Sequence, residues 1–109
     1  ASPLPRQALA EEYKLLLALS SSPLPSVALM DGVTMGFGLG LSSACTHRIA
    51  TERTLAAMPE CAIGLFPDVG FAHALRARPA VGLYMALTGA RLGAAASPPS
   101  DLLSLGLAT

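Results

Sequence analysis

Glycine recurs at the alternate positions Gly36, Gly38 and Gly40, directly after short apolar runs and before a stretch of helix-forming residues. Glycine allows sharp turns and close backbone approach, so residues 32–45 are predicted to form a strand, a loop with exposed backbone and a helix start. Outward-pointing N–H groups at a helix N-terminus carry partial positive charge and suit an oxyanion. From the residues alone, close packing of the helix on a sheet explains the same glycines equally well.

The glycine spacing excludes the two familiar nucleotide-binding loops. The letters G-F-G-L-G do not fit G-x-G-x-x-G, and no Gly-Lys-Ser or Gly-Lys-Thr follows. Seven Lys plus Arg balance seven Asp plus Glu, so little direct contact with nucleic acid is expected. Because 52% of the residues are hydrophobic and only 13% are charged, we expect part of the surface to be buried by other protein.

Helical and strand patterns alternate along the chain, which predicts an α/β fold built from βαβ units. Its 109 residues allow at most one domain, covering residues 1–109. Strands are predicted at 27–30, 47–51 and 54–58, the first one parallel and buried on both faces. Helices are predicted at 6–20, 71–78, 81–87 and 98–105, the last with Pro98 and Pro99 in its first turn, and residues 59–70 are predicted to form a loop. In the first helix, an apolar stripe that is expected to face the protein interior consists of Leu9, Tyr13, Leu16 and Leu17.

The cysteines Cys45 and Cys61 have no partners at ligand spacing. We therefore predict two buried, reduced thiols, with neither a disulfide nor a metal site. No apolar stretch reaches the roughly 20 residues of a membrane-spanning helix, so no membrane contact is expected. The chain opens on Ala1 rather than Met, and we expect further sequence upstream.

Two carboxylates, Glu60 and Asp68, lie in the apolar loop after the third predicted strand. Taken singly, Glu60 fits a solvated loop acid, and Asp68 fits a turn residue in Pro-Asp-x-Gly. Together, among Ala, Ile, Leu and Phe, they are candidates for desolvated groups that act as acid, base or nucleophile.

Three segments occur in the order LPSVALMDGVTMGFGLGLS, ATERTLAAMPECAIGLFPDVG and YMALTGARL. In this order and spacing they resemble the crotonase, or enoyl-CoA hydratase/isomerase, superfamily, and most closely its 3-hydroxyisobutyryl-CoA hydrolase branch. The resemblance covers roughly residues 12–109. It implies part of a crotonase-like spiral of βαβ units, in which two backbone N–H groups stabilise an enolate or oxyanion of an acyl-CoA thioester.

The resemblance also implies roles for single residues. Glu60 of M-P-E matches the catalytic glutamate of the family, and Asp68 of F-P-D-V-G matches the acid of the hydrolase branch. Gly40 stands where true hydratases carry a second glutamate, which favours thioester hydrolysis over water addition to a double bond. With Gly36 and Gly38, it would form the substrate-binding backbone.

Phe37 is the clearest departure from the family pattern, because the family has glycine at this position. The resemblance assigns one oxyanion N–H to its backbone, but its ring needs space beside the site. A second departure follows F-P-D-V-G, where this chain has Phe71, Ala72 and His73 instead of further glycine. For His73, a position on a helix surface or in a first turn is the more expected one, and a catalytic role is the alternative.

Two functions follow from the resemblance. The first is a structural subunit of a large assembly, such as the small subunit of the mitochondrial ribosome, where relatives of this branch occur. The alternative is an active mitochondrial 3-hydroxyisobutyryl-CoA hydrolase of valine catabolism, with an acyl-CoA as substrate and no cofactor. The chain holds only part of the family spiral, so protein partners are expected in either case.

Overall fold

Parallel pairing joins strands that are not consecutive in the sequence. The computed structural model describes residues 3–98 and 100–109. Strand β1 (Val27–Met30) pairs with β3 (His47–Ala50), and β2 (Val33–Met35) pairs with β4 (Leu55–Ala57). Each pair forms a two-stranded sheet, and the helix α2 (Phe37–Ala44) lies within both crossover connections. This arrangement confirms the predicted α/β class and the parallel strands.

The helices follow the predicted order, with different bounds. They are α1 (Leu4–Ser20), α2, α3 (Phe71–Ala74), α4 (Pro79–Thr88) and α5 (Ser100–Ser104), and a short 3-10 helix spans Glu60–Ile63. Pro79 opens α4 because a proline at the first helical position gives up no needed hydrogen bond. Pro99, expected in the first turn of the last helix, lies outside the described residues.

The hydrophobic core lies between α2, β4 and the helices that follow β4. Its largest fully buried side chains are Leu39, Thr54, Met58, Phe71, Met85, Leu102 and Leu107. Leu39 comes from the first turns of α2, which brings that helix into the centre of the core. Burial of apolar side chains stabilises a fold by about 25 cal/mol per Å² of apolar surface. The burial of Leu39 therefore holds the first turns of α2 in place.

Three expectations about burial were wrong. Strand β1 is covered on one face only: Met30 is buried, whereas Leu29 is 76% exposed, because a single neighbouring strand and the adjacent helices leave its other face open. Leu17 of α1 is 68% exposed, since the helix has no buried residue and meets the core only through partly buried side chains such as Leu16. Neither cysteine is fully buried: Cys61 is exposed because it lies on the surface of the 3-10 helix, and Cys45, after α2, is half-buried.

None of the helices within residues 3–98 and 100–109 is long and apolar enough to cross a membrane.

An ionic network ties the ends of β1 and β3 together. Oδ1 of Asp31 accepts hydrogen bonds from Thr51 Oγ1 at 2.6 Å and from Arg53 Nε at 3.0 Å. Oδ2 of Asp31 accepts a hydrogen bond from Arg53 Nη2 at 2.5 Å. The bond from Arg53 lowers the pKa of Asp31 below its ordinary value. The network therefore stabilises the fold while Asp31 is ionised.

We expect Asp31→Asn to lower the urea midpoint of unfolding at pH 7 and to have almost no effect near pH 2. A carboxyl group with a depressed folded-state pKa contributes stability above its unfolded pKa, and this contribution is lost as the pH falls through the folded pKa. Urea titrations at both pH values measure the difference. Glu52→Gln is the control, since it removes an exposed charge beside Arg53 but breaks no hydrogen bond among the described residues. An equal loss at both pH values for Asp31→Asn would contradict this account.

Candidate functional site

Gly36 connects β2 to α2 in a conformation that favours glycine. Its φ is 55° and its ψ is −125°, a backbone region that side-chain-bearing residues rarely adopt. Its N–H donates to Ala57 O at 3.1 Å, and its carbonyl accepts the N–H of Gly40 at 3.1 Å. Gly36 is therefore the junction between the end of β4 and the first turn of α2.

The carboxylate of Glu60 lies directly against this junction. Glu60 begins the 3-10 helix that follows β4, and its Oε1 is 3.0 Å from the position that a Cβ on Gly36 would occupy. Its Oε2 is buried and has no hydrogen-bond partner among the described residues. Sequence reasoning offered a solvated loop acid as one interpretation of Glu60, and the burial of this oxygen does not fit it.

An unpartnered buried carboxylate oxygen destabilises a fold, by about 1–3 kcal/mol or more for a charged group. Such a group is retained at sites where the free lone pair meets a ligand or a reacting proton. The first N–H groups of α2 have no acceptor within their own helix, and they begin one residue after Gly36. Glu60 thus places a carboxylate, which can accept a proton, beside the free N–H groups of the first turn of α2.

Phe37 is accommodated without disturbing the turn. Its ring is partly buried and packs against the hydrophobic core. The side chain therefore has a place of its own, and the backbone of Phe37 keeps the first helical position of α2. The assignment of its N–H as an oxyanion donor remains a prediction.

Gly40 lies one turn further along α2 and packs against Val69, the residue after Asp68. A Cβ on Gly40 would lie 2.5 Å from Val69 Cγ2 and 2.8 Å from the Val69 carbonyl oxygen. Val69 itself has a positive φ of 51°, which is strained for a β-branched residue. The space in which a side chain at position 40 would lie is thus filled by the residue after Asp68.

The side chain of Asp68 binds a residue that the sequence did not indicate. The hydroxyl of Tyr13, on α1, donates a hydrogen bond to Asp68 Oδ2, and this bond raises the pKa of Tyr13 above its ordinary value. The carbonyl of Asp68 accepts the N–H of Phe71 at 3.0 Å, so its backbone closes the predicted turn. Tyr13 was predicted only as part of an apolar helix stripe, and nothing local in the sequence indicates its partner 55 positions away.

A cavity of about 620 Å³ opens between α1, α2 and α3. Tyr13, Gly40 and Val69 form one part of its wall, and Arg48 and His73 are also among its lining residues. His73 is an exposed residue of α3, in agreement with the expectation of a surface histidine. The wall of the cavity therefore includes Gly40 from the first turns of α2, whereas neither of the two candidate acids is among its lining residues.

Gly38 differs from the other two predicted site glycines, because it contacts neither Glu60 nor the residue after Asp68. A Cβ at Gly38 would meet nothing within 4 Å, and Gly38 lines a separate hollow of about 320 Å³ together with Leu29. Within residues 3–98 and 100–109, no group of three His, Cys, Asp or Glu side chains is placed to hold a metal ion.

Sequence comparison identifies the class of protein that carries this site. The family described as enoyl-CoA hydratase/isomerase matches residues 2–109, and the chain belongs to this family. The mitochondrial 3-hydroxyisobutyryl-CoA hydrolase of Xenopus tropicalis is 52% identical over 100 residues, which cover 91% of this chain and 25% of that protein. The corresponding protein of Homo sapiens is 54% identical over 83 residues, covering 75% of this chain and 22% of that protein.

Solved structures show the same fold. An enoyl-CoA hydratase from Rhodobacter sphaeroides matches with a TM-score of 0.79 at 45% identity, covering 89% of this chain and 28% of that one. An enoyl-CoA hydratase from Polaromonas sp. matches with a TM-score of 0.87 at 26% identity, covering 99% of this chain and 41% of that one. These matches confirm the predicted crotonase-like fold, while the chain spans about a quarter of the length of the curated relatives it matches.

We expect Gly40→Ala to destabilise the protein by about 1–3 kcal/mol, the usual range for overpacking, because its methyl group would overlap Val69. Gly38→Ala is the matched control in the same helix. It has free space and should be neutral or stabilising by up to about 1 kcal/mol. Urea unfolding measures both changes. The double variant Gly40→Ala, Val69→Gly should recover only part of the loss, because the backbone carbonyl oxygen of residue 69 stays 2.8 Å from the new methyl group. Equal effects of the two single alanines would contradict the packing described here.

Proposed function

We propose that this chain carries the acyl-CoA thioester hydrolase chemistry of the 3-hydroxyisobutyryl-CoA hydrolase branch. The observation that supports this most is the carboxylate of Glu60, which has one buried oxygen without a partner and the other against Gly36. The relatives of about 50% identity are named as hydrolases of this thioester and as mitochondrial. A mitochondrial location and an acyl-CoA substrate are part of the same proposal.

In this proposal Glu60 takes a proton from water as it attacks the thioester carbonyl, with direct attack by the carboxylate as the alternative. The carbonyl oxygen becomes negatively charged and is stabilised by N–H groups of the first turn of α2, including that of Phe37. The carbon–sulfur bond then breaks, and the leaving sulfur takes the proton that Glu60 removed from water, so that CoA leaves as a thiol and the acyl group as the acid. In direct attack, the acyl group stays on Glu60 as an anhydride until water hydrolyses it. Asp68 assists proton movement or holds the hydroxyl of the substrate.

The contact between Gly40 and Val69 favours hydrolysis over hydration. Water addition to a double bond in this superfamily uses a second glutamate at the position of Gly40. Here a side chain at that position would overlap Val69, whose Cγ2 lies 2.5 Å from the site of a Cβ. The remaining acid, Asp68, belongs to the segment that fills this space.

We expect Glu60→Gln to reduce the release of CoA thiol from 3-hydroxyisobutyryl-CoA by at least about 100-fold, the usual contribution of a positioned general base. The unfolding midpoint should stay the same or rise, because Oε2 makes no hydrogen bond that the amide would lose. The rate of CoA release is measured on full-length protein with a reagent that reacts with the free thiol. Glu52→Gln, an exposed acid outside the site, should retain full activity. Equal rates for Glu60→Gln and the parent protein would refute the role of Glu60.

A structural subunit role is the second candidate function, and the uncovered apolar faces of the sheets favour it. Leu29 is 76% exposed and Val33 is 75% exposed, and both belong to parallel strands, which are usually covered on both faces. Coverage by other proteins of a large assembly, such as the small subunit of the mitochondrial ribosome, would bury these side chains. The same faces would be covered equally well by other segments of a complete hydrolase.

Sedimentation separates the two candidates. A structural subunit should migrate with the ribonucleoprotein fraction of a mitochondrial lysate and should stay there after a high-salt wash, because apolar contacts are screened little by salt. A hydrolase should remain at low mass and should carry the thioesterase activity. Migration at low mass without activity would contradict both candidates.

A further inference from the structure

The hydrogen bond between Tyr13 and Asp68 joins the loop before α3 to helix α1, which contacts the core only through partly buried side chains such as Leu16. Helix α1 has no buried residue, and Tyr13 itself is 45% exposed. Its hydroxyl nevertheless donates to Asp68 Oδ2 at the edge of the cavity whose wall includes Tyr13. A side-chain bond across 55 positions at an otherwise loosely held helix needs an explanation beyond packing.

The backbone of the Asp68 segment is already held from two other directions. Val69 packs against Gly40 in a strained positive-φ conformation, and Phe71 N–H closes the turn on the Asp68 carbonyl. Strain of about 1–3 kcal/mol persists only where the surroundings enforce it, commonly at functional sites. These contacts place the Cα of Asp68, but they leave its carboxylate free to rotate.

We propose that Tyr13 is a positioning residue, whose hydroxyl holds one oxygen of Asp68 so that the other oxygen stays free to meet a ligand beside Val69, which lines the cavity. This inference rests on the proposed function of Asp68 in thioester hydrolysis. Oδ2 is engaged by the phenol, and Oδ1 accepts no hydrogen bond from any residue that the structure describes. A carboxylate fixed in this way meets a substrate hydroxyl or water without first losing rotational freedom.

A direct test of the bond uses the ionisation of Tyr13. Tyr13 is assigned by difference: the titration of each protein is recorded with and without Tyr13→Phe, which cancels every other tyrosine of the full-length protein. In this comparison we expect Asp68→Asn to lower the pKa of Tyr13, measured by the ultraviolet absorbance of the tyrosinate, because the negative charge that favours the neutral phenol is removed. An unchanged pKa would overturn the proposal.

Other charged groups face Tyr13 and are kept constant in this comparison. Glu12 lies beside it on α1, and its charge also raises the pKa of Tyr13. Arg48, His73 and Arg76 line the same cavity. Because both proteins in the comparison retain them, the difference in pKa reports on Asp68 alone.

The kinetic test is a double-mutant cycle. Tyr13→Phe keeps the ring and removes only the hydroxyl, and we expect kcat to fall about 10-fold while KM changes little, as for a lost orientation. In an Asp68→Asn background, the same change should have no further effect, because residues that act as a unit are not additive. Tyr84→Phe is the matched control, and it should leave kcat and KM unchanged.

The outcomes separate positioning from a merely structural contact. If Tyr13 only attaches α1 to the loop, Tyr13→Phe should lower the unfolding midpoint and reduce kcat by the same factor with and without Asp68, and the proposal is overturned. If the protein hydrolyses no thioester at all, the proposed function fails, and the Tyr13 titration still decides whether Tyr13 holds Asp68.

Discussion

The site depends on the first turn of α2, which has glycine at the two positions that face Glu60 and Val69. Gly36 and Gly40 form this turn, and each lacks the Cβ that would displace a neighbour: Glu60 Oε1 at Gly36 and Val69 at Gly40. The bond from Gly36 N–H to Ala57 O joins the turn to β4, three residues before Glu60. The position of the acid relative to the helix N-terminus is therefore set by a short, rigid connection rather than by a long loop.

Two energetic costs of the fold lie at the same place. The unpartnered oxygen of Glu60 and the positive φ of Val69 both destabilise the folded state, and both adjoin this one turn. Neither would persist without the buried Leu39 and Phe71, which are 0% and 2% exposed and hold α2 and α3 in the core. Departures from local rules in natural proteins are expected where function requires them, and their coincidence here is an argument for a site that does not depend on family resemblance.

Local patterns predicted most of the elements, whereas long-range contacts could not be predicted from sequence. The strand VALM and the glycine turn are signalled by neighbouring residues, so β1 was predicted with its observed bounds, and the start of α2 was predicted within residues 32–45 without bounds. Helix α3 was predicted too long, since its four residues Phe71–Ala74 end well before Pro79 and the residue before a proline disfavours helix. The exposure of Leu29 and the bond between Tyr13 and Asp68 depend on which elements pack together, and periodicity carries no information about that.

Stability and site geometry have different origins in this chain. The contacts that shape the site involve positions from Tyr13 to Phe71, all within the described residues. The apolar faces of β1 and β2 remain open instead, with Leu29 and Val33 both at least 75% exposed, and each Å² left in water forgoes about 25 cal/mol of stabilisation. Whatever covers these faces stabilises the strands, and the strands in turn hold Gly36. A covering segment can therefore change the geometry of the site through the rigidity of this turn without contacting the site itself.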